Sequence, residues 1–227
     1  MENLNNRIYS IIDYCFKNTS LLEEAFTHPS MSKKNNKGQV VNYERLEFLG
    51  DSILNMIVSE MLFVLFPQEQ EGDLARRKMD LVSGGTIAGI AKAINLNQFI
   101  IMNNSERYNG GEYNPRNLEN VLEALIGAIY LDGGFDSAKN FVTTYWKKLA
   151  QDMITPPQDY KTALQEWTQK NKLPLPCYKL ISKVGESHRP EFTISVFIEK
   201  YGEVSSCAYS KKLAEQKAAE LMLNKIS

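Results

Sequence analysis

Three acidic residues stand at helical spacing near the middle of the first half of the chain. Glu44, Glu47 and Asp51 occupy positions i, i+3 and i+7, which places their side chains on one face of an α-helix. Carboxylates at this spacing repel each other unless a cation lies between them. The pattern predicts a metal site; the alternative is a solvated acidic face with Arg45 as its partner.

A second polar pair lies in an apolar segment further along. Asn120 and Glu123 are three residues apart in the helical run 118–130, so they must face a partner or a cavity. The chain has two histidines, neither of them three residues after a glutamate, which excludes the Glu-x-x-His ligands of a di-iron bundle. The ligands must therefore be oxygen atoms, which suit Mg²⁺, Mn²⁺ or Ca²⁺.

The charges divide unevenly along the chain. Residues 1–157 carry a net charge of −4, and residues 158–227 carry +3. An acidic first part suits cation binding, and a basic second part suits binding of a polyanion. The three cysteines are far apart and form no C-x-x-C pair, so we expect free buried thiols rather than disulfides or a zinc site.

The hydrophobic pattern changes at a Pro-Pro pair, which divides the chain into two domains. Residues 1–150 show helical periodicity and no strand of any length, residues 151–158 read as a linker, and residues 159–227 follow the order helix, three strands, helix. The first residues lack the pattern of a signal peptide. The apolar run 53–66 is too short to span a membrane, so we expect a cytoplasmic protein without membrane contact.

Residues 42–52, in the form Asn-x-Glu-Arg-Leu-Glu-Phe-Leu-Gly-Asp-Ser, resemble the signature of the ribonuclease III family. The segments 71–74 and 121–132 agree with it, and the resemblance covers essentially the whole chain in order. It implies an all-α endonuclease domain that dimerises, followed by an α+β (α-β-β-β-α) double-stranded RNA-binding domain. The implied activity is metal-dependent hydrolysis of double-stranded RNA that leaves 5′-phosphate and 3′-hydroxyl ends, with rRNA and mRNA precursors as expected substrates.

The resemblance also implies roles for single residues. Glu47, Asp51 and Glu123 match direct ligands of Mg²⁺, for which Mn²⁺ is a possible substitute; no small-molecule cofactor is expected. Glu44 and Glu71 match supporting acids near the RNA and the waters around the metal. Asp73 is expected to be the N-cap of the following helix.

Asn120 departs from the family, which usually has aspartate at this position. An asparagine carbonyl can still bind Mg²⁺ but brings no negative charge. Glu119 is adjacent but about 100° round the helix and is expected to be a poor substitute. We therefore hypothesise an active enzyme with a raised Mg²⁺ requirement.

A duplex has two strands related by two-fold axes, so a C2 homodimer with two matched sites is expected. Phe48 matches a family residue that fills a hollow on the partner subunit; ordinary core packing is the alternative for it. In the second domain the resemblance assigns RNA contacts, either to minor grooves or to phosphates, to Thr162, Gln165, Glu166, His188, Lys211, Lys212 and Lys217.

Two other functions remain open. If Asn120 abolishes metal binding, the chain could bind double-stranded RNA without cutting it. A helical metal-dependent hydrolase of small phosphate compounds is a third possibility, but the basic second domain argues against it.

Overall fold

The computed structural model describes residues 2–34, 38, 40–185 and 190–226. The described residues form two compact units, which divide between Pro157 and Gln158. The helices of the first unit are α1 (Glu2–Ile12), α2 (Thr19–Phe26), α3 (Glu44–Leu65), α4 (Glu71–Leu81), α5 (Gly84–Ala93), α6 (Asn104–Tyr108), α7 (Pro115–Gly133) and α8 (Phe135–Asp152). The predicted helical domain is confirmed, and α8 continues two residues into the segment predicted as linker.

Local sequence explains where α7 begins and ends. The Asn114 side chain accepts a hydrogen bond from the Arg116 backbone N–H (3.0 Å), and Pro115 occupies the first helical position, where its missing N–H costs nothing. Gly134 ends the helix with φ +81°, a backbone conformation that glycine adopts at low cost. Most of α7 between these ends is buried, so it is the central helix of the first unit.

Helices α3 and α7 cross through two glycines. A Cβ atom on Gly50 would overlap the backbone carbonyl of Glu123, and a Cβ on Gly127 would overlap the carbonyl of Leu46. Because neither residue has a Cβ, the two backbones approach to direct contact. This contact brings the acidic face of α3 beside the polar positions of α7.

Helix α3 has two apolar sides. Leu46, Ile53, Leu54, Ile57, Val58 and Leu62 are buried, whereas Phe48, Met56 and Phe63 are exposed and lie at a spacing that forms one stripe. Among the described helices, α3 is the one whose length and mean hydropathy (1.6) would suffice to cross a membrane. The core helices of soluble proteins pass the same test.

One feature of the first unit differs from prediction. Lys33–Lys34 (β1) and Val40–Val41 (β2) form a two-residue antiparallel pair, where no strand was predicted. Such short pairs carry too few residues to show the alternating pattern of a strand.

The thiols also differ. Cys15, Cys177 and Cys207 are free, as predicted, but all three are exposed. The prediction that they are buried was therefore wrong, because the preference of cysteine for interiors is only statistical.

The second unit confirms the predicted element order. It contains α9 (Tyr160–Lys170), β3 (Cys177–Val184), β4 (Glu191–Ile198), β5 (Gly202–Ala208) and α10 (Lys211–Ile226). The strands form an antiparallel sheet in the order β3-β4-β5. Alternate residues of β4, including Val196, are buried with Leu164 of α9 and Met222 of α10, so both helices cover one face of the sheet.

Candidate metal centre

Asn42, two residues before Glu44, fixes the start of α3. The Asn42 side chain accepts a hydrogen bond from the Glu44 backbone N–H (3.0 Å) and donates one to the Glu44 carboxylate (2.9 Å). Asn42 itself is buried. The orientation of the Glu44 carboxylate is therefore fixed at the N-terminus of α3, where the helix dipole favours negative charge.

Helices α3 and α7 together enclose a cavity of about 600 Å³. Its walls combine acids from both helices with a few other side chains, namely Pro29, Tyr43, Glu44, Glu47, Phe48, Asp51, Arg116, Glu119, Asn120 and Glu123. The structure thus brings together the three acids of α3 and the polar pair of α7 that the sequence indicated.

Glu123 is the most deeply placed of these acids, with 7% of its surface exposed. Burial, followed by the negative charges of Asp51, Glu119 and Glu47, raises the pKa of Glu123 to about 8. Burial and the neighbouring Glu44 also raise the pKa of Glu47, against the effect of Arg116. Without a cation, the cavity therefore favours the protonated form of its innermost carboxyl group.

Asn120 is oriented by a buried tyrosine. Its amide nitrogen donates a long hydrogen bond (3.4 Å) to the Tyr43 hydroxyl, which in turn donates to the side-chain oxygen of Asn117 (3.4 Å). The amide oxygen of Asn120 therefore remains available in the cavity as a neutral ligand.

The acids share the cavity without forming a closed ligand cage. The Asp51 carboxylate accepts a hydrogen bond from Asn55 (2.8 Å). Among the residues that the structure describes, no three histidine, cysteine, aspartate or glutamate side chains lie close enough together to hold one ion. Binding of a cation between Asp51, Glu47 and Glu123 would therefore require their flexible side chains to turn inward.

Glu71 and Asp73, the two acids of the segment 71–74, do not line this cavity. Glu71 is the first residue of α4, is exposed, and does not line the cavity of its own chain. The expected N-cap role of Asp73 was wrong: the N-cap of α4 is Gln70, and the Asp73 carboxylate instead pairs with Arg76. Helix α4 therefore begins at Glu71 rather than after Asp73.

Sequence reasoning missed one charged residue of the cavity, Arg116, and set another, Glu119, aside as a poor substitute for the usual aspartate. The 100° offset from Asn120 suggested that Glu119 points away from the cavity, but both residues line it. It stands four residues before Glu123, and residues at i and i+4 share a helical face just as those at i and i+3 do. That spacing was the signal that could have found Glu119.

Phe48 is 79% exposed. The alternative prediction, that it packs in the core of its own chain, was therefore wrong. Phe48 lies at the rim of the acidic cavity and also lines a neighbouring hollow with Leu21, Leu49 and Leu131. The walls of this hollow also include the charged residues Glu24, Glu44 and Arg45. A large exposed aromatic ring of this kind is typical of a contact between proteins.

In the second unit, residues from both helices line a groove. Thr162 and Gln165 of α9 lie beside Lys212 of α10. Glu166, Lys211 and Lys217 are exposed but outside this groove, and His188 lies outside the described residues. Ser210 caps α10 by accepting a hydrogen bond from the Leu213 N–H (3.2 Å), which places Lys211 and Lys212 in its first turn.

Comparison with known proteins agrees with both units. Residues 18–149 match the family model described as Ribonuclease-III-like, and residues 160–226 match the double-stranded RNA binding motif. Ribonuclease 3 of Wolbachia pipientis wMel is 66% identical over 226 residues, which are 100% of this chain and 97% of the relative. Ribonuclease 3 of Ehrlichia ruminantium (strain Gardel) is 54% identical over 224 residues, which are 99% of this chain and 98% of the relative.

A solved structure shows the same fold. The nuclease domain of ribonuclease III from Campylobacter jejuni is 41% identical, with a TM-score of 0.59, over 66% of this chain and 97% of that one. The two family models match in the order in which the family has these domains. The two relatives are 66% and 54% identical over nearly their whole length. The chain belongs to the ribonuclease III family of endoribonucleases.

Proposed function

We propose that this protein hydrolyses phosphodiester bonds of double-stranded RNA with a divalent cation, Mg²⁺ or Mn²⁺ as its substitute, bound in the acidic cavity. The observation that carries the proposal is Glu123. It is a buried carboxyl group whose pKa is raised to about 8 by burial and by the charges of Asp51, Glu119 and Glu47. A bound cation would remove this repulsion, since it would favour the ionised form of every surrounding acid.

The donor set fits a hard cation. Glu47, Asp51 and Glu123 offer carboxylate oxygens and Asn120 an amide oxygen, which Mg²⁺ and Mn²⁺ prefer. A divalent cation, when bound, supplies stabilisation of phosphate charge and a water nucleophile at neutral pH. No small-molecule cofactor is needed for this chemistry.

The residues of the chain would position the reacting groups. The attacking water oxygen forms a bond to phosphorus as the bond from phosphorus to the 3′ oxygen breaks in line. The proton passes to the 3′ oxygen, so the products are 5′-phosphate and 3′-hydroxyl ends. Glu44, held by Asn42, lies at the cavity wall beside Glu47, where it can orient water. We assign Glu71 a supporting role outside the cavity of its own chain.

The second unit would bind the duplex by its shape. Thr162 and Gln165 in the groove, with Glu166 on the same helix, offer polar groups for a minor groove. Lys211 and Lys212 in the first turn of α10, with Lys217, offer positive charge to the phosphates between grooves. His188 completes this set in our proposal.

We propose a homodimer, since cutting both strands requires two sites. The exposed stripe of Phe48, Met56 and Phe63 supports it, and a solved nuclease domain of ribonuclease III from Campylobacter jejuni is described as flexible in a region involved in its own dimer formation. Sedimentation should give twice the 25.8 kDa of the chain. The variant Met56→Glu/Phe63→Glu should sediment as a monomer, and a wild-type monomer at working concentration would contradict the dimer.

Cleavage can be tested directly with purified protein. Long duplex RNA incubated with protein and Mg²⁺ should yield short products with 5′-phosphate ends, and Glu123→Gln should yield none while still binding RNA. Duplex RNA that is bound but left intact by the wild type would favour the alternative of an RNA-binding protein, for which Asn120 is the specific reason. We place the activity in the cytoplasm, on rRNA and mRNA precursors, by analogy with the family.

The Asn120 hypothesis has its own test. Cleavage across a Mg²⁺ titration should show a lower Mg²⁺ requirement for Asn120→Asp than for the wild type, because aspartate adds a negative charge to the site. An unchanged requirement in the aspartate variant would disprove the hypothesis.

A further inference from the structure

We propose that Glu119 supplies to the metal centre the negative charge that Asn120 lacks, as a metal-positioning carboxylate one residue earlier on α7. This inference rests on the proposed function, since it concerns the same cation. It assigns a role to a residue outside the acidic positions that the family resemblance identifies.

The first observation is the placement of Glu119 on its helix. Glu119 and Glu123 are four residues apart on α7 and therefore share a face. Both line the cavity with Glu47 and Asp51. Glu119 is therefore one of the acids around the space in which the cation would bind.

The second observation is that the Glu119 carboxylate has no partner of its own. It is half-buried, and within the described part of the chain it makes no hydrogen bond or ion pair. Arg116, the basic residue of the cavity, is not within ion-pair distance of it. A half-buried carboxylate beside a cavity lacks the compensation that burial of charge normally requires.

The third observation concerns Gly84 at the start of α5. A Cβ atom on Gly84 would lie 2.5 and 2.6 Å from the two carboxylate oxygens of Glu119. Because Gly84 has no side chain, the Glu119 carboxylate can lie against it, while Glu119 also lines the cavity.

Capping of α5 is the structural alternative for Glu119. That position already has a cap, because the Ser83 hydroxyl accepts a hydrogen bond from the Thr86 N–H (3.2 Å). The capping hydrogen bond at the start of α5 is therefore made by Ser83 and not by Glu119.

Metal binding without RNA tests the proposal, because no turnover is involved. Titration calorimetry of the full-length protein with Mg²⁺, and with Mn²⁺, would compare the wild type with Glu119→Gln, Asn120→Asp and the double variant. We expect Glu119→Gln to weaken Mg²⁺ binding about 10-fold, the range found for residues that support metal ligands. Asn120→Asp should strengthen binding by a similar factor, and the double variant, with the wild-type charge, should return close to the wild-type affinity.

Three further variants make the result specific. Glu23→Gln removes an exposed carboxylate of α2 outside the cavity and should leave the affinity unchanged. Glu119→Asp keeps the charge and should retain most of the binding. Glu47→Gln removes a proposed direct ligand and should abolish binding, whichever role Glu119 has.

Thermal unfolding in EDTA separates a metal role from a structural one. Removing one of several repelling charges should raise the melting temperature of the metal-free Glu119→Gln protein, whereas loss of a helix cap would lower it. Wild-type affinity in Glu119→Gln, with binding lost in Glu47→Gln, would overturn the proposal and leave the proposed function intact. Absence of Mg²⁺ binding by the wild type would overturn both.

Discussion

Gly50 of α3 lies against the backbone carbonyl of Glu123 on α7, with no room for a Cβ atom between them. The reciprocal contact, Gly127 against the Leu46 carbonyl, lies one turn away on each helix. The acids of α3 and α7 can share one cavity because the backbones of the two helices touch here. The closeness of the candidate ligands thus depends on residues that carry no chemistry themselves.

Replacement of Gly50 by alanine should therefore damage both stability and metal binding. The new methyl group must push two buried backbones apart, which we expect to cost about 3 kcal/mol of unfolding free energy. It should also weaken Mg²⁺ binding, since the ligands separate. Urea denaturation and calorimetry would measure the two effects.

Gly89→Ala is the matched control for this substitution. Gly89 lies within α5, and a Cβ there would meet nothing within 4 Å. Alanine should leave stability unchanged or raise it by about 0.5–1 kcal/mol, because it favours the helix. If Gly50→Ala behaved like Gly89→Ala, the close contact would not be required.

The raised pKa of Glu123 predicts how metal-free stability depends on pH. The group titrates near its ordinary value of 4.5 in the unfolded chain and near 8 in the folded protein, so the folded state binds more protons between these values. Stability contributed by the protonated form is complete below pH about 4.5 and is lost as pH rises through about 8. In EDTA, the melting temperature should therefore fall over this range.

Glu123→Gln provides the comparison, because glutamine cannot titrate. Its melting temperature in EDTA should fall less steeply with pH than that of the wild type. Mg²⁺ at pH 8 should raise the melting temperature of the wild type and leave the glutamine variant nearly unchanged. Parallel pH profiles for the two proteins in EDTA would contradict this origin of the pH dependence.

The sequence predicted those features of the site that depend on one helix. The spacing of Glu44, Glu47 and Asp51 fixes their common face, because helical geometry is local. The alternation in β4 likewise predicted a strand with one buried side. The location of Glu71 outside the cavity depends instead on how α4 packs, which no local pattern encodes.

Other features also required tertiary structure. The direct contact at Gly50 involves residues more than 70 positions apart in sequence, and a glycine in a helix has several possible reasons. The i, i+4 relation of Glu119 to Glu123 could have predicted that the two share a helical face. Only the structure shows that Glu119 lines the cavity together with Asn120.

Arg77 should be the most important charged residue for the stability of the first unit. It is 1% exposed, forms two hydrogen bonds with the Glu69 carboxylate (2.6 and 2.8 Å), and donates to the Met153 carbonyl (2.6 Å) at the end of α8. Its guanidinium also stacks on the ring of Phe66 (3.8 Å). Arg77→Met should lower the unfolding free energy by about 2 kcal/mol, since it removes these three hydrogen bonds and leaves the Met153 carbonyl and the Glu69 carboxylate without their donor.

The neighbouring Arg76 supplies the control. Its ion pair with Asp73 is about one-third exposed on each side, and such pairs contribute about 0–1 kcal/mol. Arg76→Met should accordingly change stability little in denaturant titrations. Adding Glu69→Gln to Arg77→Met should recover part of the loss, and a purely additive effect would contradict the coupling of the pair.

Lys211 and Lys212 should carry a measurable part of the salt dependence of RNA binding. Both lie exposed in the first turn of α10, where free backbone N–H groups add to their attraction for phosphate. Each phosphate contact releases counterions and contributes about 0.7–0.9 to the slope of log affinity against log salt. The double alanine variant should therefore bind duplex RNA more weakly at low salt, with a slope reduced by about 1.5.

The control removes the same charge elsewhere in the second unit. Lys170 ends α9, and Lys179 lies exposed on β3 opposite Ser195. Fluorescence anisotropy without Mg²⁺, over a series of salt concentrations, would measure binding without cleavage. Lys170→Ala/Lys179→Ala should change the slope much less than Lys211→Ala/Lys212→Ala, because its charges do not lie at a helix N-terminus. Equal slopes for the two double variants would mean that total charge, rather than the start of α10, governs how this unit binds RNA.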